Sequence, residues 1–463
     1  MDGIFLLSKI CNKLLLRYNY TYKIKLLFFT VIIFCSQLFG QEVDTLNYYD
    51  HYPFIVDSIK INGNEITEEY IILRELTFGI GDTLKQSTAF YNRERIYSLG
   101  IFNHVYLIPE SIKGKNLLNI KVEESWYIYP LPFIDASEND LSKLTYGINL
   151  RLKNFRGRNE QISATFALGY DPYFYLNYYT PNVANEHNVF LNAKVGYADI
   201  SNKSPIAEKV YGSSFDHQVI FFETILGKRI GLFQRVYLNS AFRNIETLKF
   251  VEGVNASKNR IDNVLDIGVG YEYDTRDLIQ FPKNGIYTAA NITFRGLGID
   301  DINYRILNID FREYRILIDK LISKWRLAGR MTFGNRIPYY DNSIIGVEQK
   351  IRGHMSQKYE GNDIYIGSLE LAYPIIEELN IDLTFIPIIP NKLLSYRLGL
   401  YIQSFAETGI AKYKKQPFAL NKFVSGYGFG ITFLVLPYQV FRFELGFDEK
   451  SNTEIILDLG ISF

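Results

Sequence analysis

Cysteine is nearly absent: the chain of 463 residues has two, Cys11 and Cys35, both near its start. Disulfides, thiolate metal cages and thiol nucleophiles are therefore excluded from residues 41–463. Tryptophan is scarce as well, with two. The five histidines, His51, His104, His187, His217 and His354, are scattered, and none forms a ligand pair such as HExxH. There is no GxSxG elbow and no phosphate loop. The chain is thus expected to be no enzyme and to hold no cofactor. An excess of one charge sign is missing too. Fifty Lys and Arg balance fifty Asp and Glu, which gives no electrostatic reason for a nucleic-acid partner. Mean hydropathy is −0.05 and long uncharged runs are rare, so a bundle of spanning helices is not written here. What the chain does have is aromatic surface, 36 Tyr and 34 Phe, with enough apolar content to order it.

The N-terminus reads as a targeting signal. Lys9, Lys13, Arg17, Lys23 and Lys25 precede Leu26 to Phe34, an apolar run broken only by Thr30. That run has h-region length and falls short of the ~20 apolar residues of a spanning helix. Residues 1–40 are expected to be a signal peptide cut after Gly40, although Leu38 is a poor residue before such a cut. Phe34 argues against a lipoprotein cut before Cys35, and an uncleaved anchor is the competing reading. Residues 41–52 are a short linker. Beyond Gly40 the chain carries 45 basic and 49 acidic side chains.

Residues 53–124 have their own pattern. Ile55, Asp57, Ile59 and Ile61 alternate along a short strand that ends at the turn Asn62-Gly63-Asn64. A helical stretch opens at Thr67, continues through Ile71, Ile72, Glu75 and Leu76, and stops at Gly79, Gly81 and Asp82. A second helix spans about Ser87–Leu99, with Gly100 as the C-terminal cap candidate. Strands follow at Phe102–Ile108 and Leu117–Glu123. This β-α-α-β-β order, with the residues IKINGN, ILREL, GD, YSLGIFNHVYL and LLNIKVEE, resembles a polypeptide-transport-associated (POTRA) domain. The resemblance implies binding of unfolded, strand-like clients by addition to a sheet edge. One copy is present.

From Trp126 to Phe463 the pattern has period two. Phe441, Phe443, Leu445 and Phe447 alternate with Arg442, Glu444, Gly446 and Asp448. Leu265, Ile267, Val269, Tyr271 and Tyr273 alternate with Asp266, Gly268, Gly270, Glu272 and Asp274. A charged, glycine-bearing face opposite an aromatic-rich face fits a polar lumen inside and lipid outside. Phe423–Phe441 is uncharged, but Gly426, Gly428 and Gly430 at alternate positions suit a strand and harm a helix. The expected fold is mainly β: a transmembrane antiparallel barrel of about sixteen strands over residues 126–463, preceded by the POTRA-like domain. Fourteen and eighteen strands are the neighbouring counts. Backbone groups in lipid must all be paired, so the sheet should close.

The longest structured connection, Arg336 to Asn362, contains Ile351-Arg352-Gly353-His354. With it the barrel resembles the outer-membrane assembly and surface-antigen family, BamA/TamA-like, which also includes the two-partner secretion transporters. In that family a loop with a Val/Ile-Arg-Gly-aromatic motif folds into the barrel. Ile337-Pro338 and Gly346 match the residues before the motif, whereas His354 replaces its aromatic and Val347 a frequent glycine. YDTRD…FPKNG (Tyr273–Gly285), NFRGRN (Asn154–Asn159), SLELAYP (Ser368–Pro374) and FAETG (Phe405–Gly409) resemble further family segments. The alternation places Glu370 and Glu407 on the lumen face. By the resemblance these two carboxylates anchor Arg352, whose guanidinium can fork onto two acids as Lys cannot. Glycine after the arginine suits a close backbone approach.

The resemblance implies assembly and insertion of β-barrel proteins into the bacterial outer membrane, with the POTRA-like domain in the periplasm. The alternative is a two-partner-type pore that secretes one dedicated protein. The short segment Gln41–Tyr52 leaves little room for a plug helix and favours assembly. Partners are then unfolded outer-membrane clients, outer-membrane lipid and accessory lipoproteins. Phe463, ending an alternating strand from Ile455, is expected to belong to an assembly signal. Pro130 and Pro132 share a pleat face of the first barrel strand, so their missing donors fall on one edge. With Gly460 in the last strand they mark an expected weak seam between first and last strands.

Overall fold

A computed structural model describes residues 52–112, 114–137, 140–183, 188–386 and 389–460. The expected signal peptide, most of the expected linker, His51, His187 and Phe463 lie outside the described residues. The first domain contains β1 (Phe54–Ile55), β2 (Ser58–Asn62), α1 (Glu69–Leu73), β3 (Thr83–Leu84), α2 (Gln86–Tyr97), β4 (Phe102–Ile112) and β5 (Lys115–Glu124). Its three-stranded sheet has the order β2-β5-β4, with β2 parallel and β4 antiparallel to β5. Two details differ from the sequence expectation. Ile55 does not share the β2 face: it sits in β1, paired with Thr83 of β3, and is exposed, while Val56 is buried. Helix α1 stops at Leu73, so Glu75 is free of the helix and its side chain turns inward. Gly100, at φ +67, does take the left-handed conformation just beyond α2.

The barrel sheet has sixteen strands: β6 (Ile128–Ala136), β7 (Leu144–Phe155), β8 (Glu160–Gly169), β9 (Tyr173–Thr180), β10 (Val189–Ser201), β11 (Asp216–Ile230), β12 (Gln234–Thr247), β13 (Ile261–Asp274), β14 (Gly285–Arg295), β15 (Tyr304–Ile316), β16 (Ile322–Phe333), β19 (Asp363–Asp382), β20 (Ser395–Lys412), β21 (Val424–Leu436), β22 (Gln439–Asp448) and β23 (Thr453–Leu459). Two short strands, β17 (Ser343–Ile345) and β18 (Tyr359–Gly361), pair within the β16–β19 connection. A seven-residue helix, α3 (Pro205–Tyr211), lies between β10 and β11. Each barrel strand is antiparallel to its sheet neighbours, and the order runs from β6 to β23 in sequence. The pleat obeys the alternation: Arg442, Glu444, Gly446 and Asp448 are turned inward, and Phe443 is exposed on the outer face. Among the described residues no helix is long and apolar enough to cross a membrane.

The two ends of the sheet matter most. Among the described pairings, β6 joins only β7 and β23 only β22. The edge of β6 that meets β7 is identified by two bonds. Lys153 N–H donates to Tyr127 O (2.8 Å) and Ser137 N–H donates to Lys143 O (3.1 Å). Backbone groups of a strand alternate between its two edges. Tyr129, Leu131, Phe133 and Asp135 therefore face β7, while Pro130 and Pro132 turn to the other, unpaired edge. Gly460, at φ +110, follows the end of β23, and its N–H donates to Val440 O. No described pairing sets it opposite the prolines.

Candidate functional site: the inserted loop, the lumen and the periplasmic mouth

The β16–β19 connection brings Arg352 against the inner wall, 5 % exposed. Its Nε and Nη2 donate to Glu407 Oε1 (3.0 and 2.7 Å), and its backbone N–H donates to Glu407 Oε2 (2.8 Å). Nη1 donates to Glu370 Oε2 (3.2 Å) and to Glu444 Oε1 (2.6 Å). The guanidinium lies 3.6 Å from the Phe405 ring centroid, which adds a cation–π contact. Both acids named from the sequence, Glu370 on β19 and Glu407 on β20, are thus at the arginine. Glu444 on β22 is inward by the alternation alone, and no sequence motif marks it as a partner of the arginine.

The surrounding groups balance the charge. Lys324 Nζ donates to Glu370 Oε1 (2.9 Å), Gln403 Nε2 donates to Glu444 Oε1 (2.5 Å), and Arg442 bridges Glu444 and Asp458. Three buried glutamates therefore face Arg352, Lys324 and Arg442. A cluster of this kind resists losing any one member, because the remainder stays desolvated and unpaired.

The neighbours of Arg352 have distinct jobs. Ile351 is fully buried with Ile345, Ile364, Ile366 and Val424. Gly353 has φ +97, and a Cβ there would come within 2.6 Å of Phe447 O. Gly426 is under a tighter constraint, since its Cβ would lie 1.7 Å from Arg352 O. His354, in place of the family's aromatic, packs its ring near Tyr359 and also meets Glu449 (Nε2 to Oε2, 2.7 Å). Among the described residues no group of His, Cys, Asp and Glu could hold a metal ion.

At the opposite end the first domain is docked on the barrel. Glu94 of α2 receives two bonds from Arg397 of β20 (2.9 and 2.7 Å) and two from Arg93 (3.0 and 2.6 Å), which also reaches Glu378 (2.7 Å). Glu75 receives Arg229 of β11 (2.6 and 2.9 Å) and Arg95 (2.7 Å). The domain's apolar core continues into Leu278, Phe281, Tyr401 and Leu434 of the barrel. This explains why α2 buries Asn92, Arg93, Glu94 and Arg95: one side faces its own sheet and another faces the barrel. Sequence periodicity could not show that second face.

The comparisons with known proteins agree with this architecture. Residues 154–461 match the Omp85 superfamily domain, and residues 54–125 match the POTRA family described as a surface antigen variable number repeat. The outer membrane protein assembly factor BamA of Neorickettsia risticii (strain Illinois) is 36% identical over 70 residues, 15% of this chain and 10% of that protein. The crystal structure of BamA from Haemophilus ducreyi lacking POTRA domains 1–3 is similar with a TM-score of 0.51 at 16% identity, covering 88% of this chain and 84% of that one. CdiB from Escherichia coli is similar with a TM-score of 0.53 at 10% identity, covering 88% and 75%. At these identities the structural likeness shows the fold alone.

Proposed function

The chain belongs to the Omp85 superfamily, and from that membership we propose that it folds and inserts β-barrel proteins into the outer membrane. It is an outer-membrane β-barrel with its POTRA domain in the periplasm. One observation carries the proposal: among the described pairings one edge of β6 has no partner, and that edge bears Pro130 and Pro132. A strand edge in lipid that lacks donors at two positions is a weak closure and a template for an incoming strand. The inserted loop, fixed by Arg352, occupies the lumen behind it.

Client segments reach the barrel through the POTRA sheet. Pro109 of β4 stands opposite Leu118 and cannot donate, so Leu118 and Ile120 turn their backbone groups to β2; Ser58, Lys60 and Asn62 answer them, and Ile59 and Ile61 turn theirs outward. The other edge strand, β4, lies against the barrel: Asn103 donates to Lys392 O (2.7 Å) and His104 meets Ser395 (2.8 Å). An extended client adds to the β2 edge by backbone bonds that ignore its sequence. Neither step uses a catalytic group or a cofactor. Clients are unfolded outer-membrane proteins, with accessory lipoproteins as further partners.

Depletion of the protein followed by outer-membrane proteomics tests this. Loss of many barrel proteins at once is the expected result. Loss of one secreted protein with normal barrels would replace assembly by dedicated secretion.

A further inference from the structure

The inserted connection has a second foot, of opposite charge to the first. Asp341 is 5 % exposed and lies among three guanidinium groups: Arg243 of β12 (3.4 Å), Arg330 of β16 (3.5 Å) and Arg295 of β14 (3.8 Å). The Tyr304 hydroxyl donates to the same carboxylate. Asp266 of β13 shares Arg243 and Arg295, so the socket holds two carboxylates against three guanidinium groups. The connection thus begins with an anion in a cationic socket on β12–β16. It continues to a cation, Arg352, in an acidic socket on β19, β20 and β22.

Between the feet the connection is one braced piece. β17 and β18 pair from Ser343–Gly361 to Ile345–Tyr359, Asn342 donates to Glu360 (2.7 Å), and Asn362 donates to Asn342 (3.0 Å). Beyond Arg352 it reaches the last strand. Met355 N–H donates to Glu454 Oε2 (3.0 Å) and the Ser356 hydroxyl donates to Glu454 Oε1 (3.3 Å). Glu454 is an inward residue of β23, paired with Gly446 of β22. Among the described pairings β22 is the one ladder partner of β23, so β23 takes its position in large part from what grips its inner face.

We propose that the β16–β19 connection is a strut that sets where the last barrel strand stands, with Asp341 and Glu454 as its positioning residues. Asp341 fixes the strut to the β12–β16 wall, and Glu454 is the handle by which it holds β23. The proposal rests on the reading of the β6–β23 seam given above. It differs from loop anchoring by Arg352 alone, because the bonds of Arg352 go to β19, β20 and β22, whereas Glu454 joins the connection directly to β23. Release of the Asp341 foot loosens the handle at a distance, through the β17–β18 brace.

The experiment measures the seam directly. Residues 41–463 hold no cysteine, so Ile134→Cys and Leu457→Cys, both on the outer face, take spin labels in the full purified barrel. Pulsed distance measurement is made in lipid nanodiscs, on protein shown to be folded by its heat-modifiable gel mobility. Glu454→Ala and Asp341→Asn should each shift or broaden the β6–β23 distance distribution. Glu454→Gln, whose carbonyl oxygen still accepts from the Met355 N–H and whose amide N–H can donate to the Ser356 hydroxyl oxygen, should keep the native distribution; a general loss of stability would not distinguish Gln from Ala. Should Asp341→Asn fail to fold, the Glu454 pair carries the test, since that side chain is only half-buried at the sheet's edge. An unchanged distribution in folded Glu454→Ala overturns the strut. Client insertion is assayed separately: a shifted seam with normal insertion keeps the strut and removes the seam from the assembly reaction.

Discussion

Arg352 and Glu407 are joined at both the side chain and the main chain: one carboxylate oxygen takes Nε and Nη2, and the other takes the Arg352 backbone N–H. Glu407 thereby fixes the rotamer of the arginine and the path of the loop together. Arg352→Ala leaves three desolvated glutamates, at a cost of about 3–5 kcal/mol if their burial persists. Arg352→Lys should recover little of it, because an ammonium cannot reach Glu407, Glu370 and Glu444 in one geometry. Thermal unfolding followed by gel mobility checks both. An Arg352→Lys protein as stable as the parent would show that net charge alone matters.

Gly426→Ala should displace the loop without touching any charged group, since the new Cβ would stand 1.7 Å from the Arg352 carbonyl oxygen. Overpacking of a rigid backbone contact costs roughly 1–3 kcal/mol. Limited proteolysis of folded barrels should show new cleavage within 336–362, and the parent should show none under the same conditions.

Restoring the two missing donors at the β6 edge should strengthen the seam. Pro130→Val with Pro132→Val offers two more backbone bonds, each worth about 0.5–1.5 kcal/mol net. Higher thermal stability together with slower client insertion is the expected pair of results. Higher stability with unchanged insertion would mean that the seam does not open during assembly.

Docking of the POTRA domain should weaken in two steps as pH falls. Burial pushes the His104 imidazole below its ordinary 6.5, so the folded state prefers it neutral. That contribution is present above 6.5 and is lost as pH falls from there through the lowered value. Burial raises the Glu75 and Glu94 carboxyls, but the arginines outweigh it, Arg229 and Arg95 at the first and Arg397 and Arg93 at the second. Both are held below the ordinary 4.5. Their contribution is present above 4.5 and is lost only as pH falls below that. A distance label between POTRA and barrel should respond modestly below pH 6.5 and steeply below 4.5, and His104→Gln should remove the first step alone.

Alternation by itself determined the barrel. A barrel of about sixteen strands, their inward and outward faces, and the inward placing of Glu370 and Glu407 follow from a period of two, because a strand with lipid on one side and a polar lumen on the other carries that pattern; the count of sixteen is fixed by the pairings. The POTRA order was legible for a similar reason: turns at Asn62-Gly63 and Gly100 punctuate it locally. Only the tertiary structure decided which distant charges meet. Glu444 joins Arg352 across 92 positions, Asp341 finds arginines on three strands, and α2 buries Arg93 and Glu94 against a barrel wall whose residues lie hundreds of positions on. Such partners carry no local signal, since an inward charge reads the same whether it faces water or a mate. Burial separates the two cases, and burial here is set by the inserted loop at one end of the lumen and the docked POTRA domain at the other.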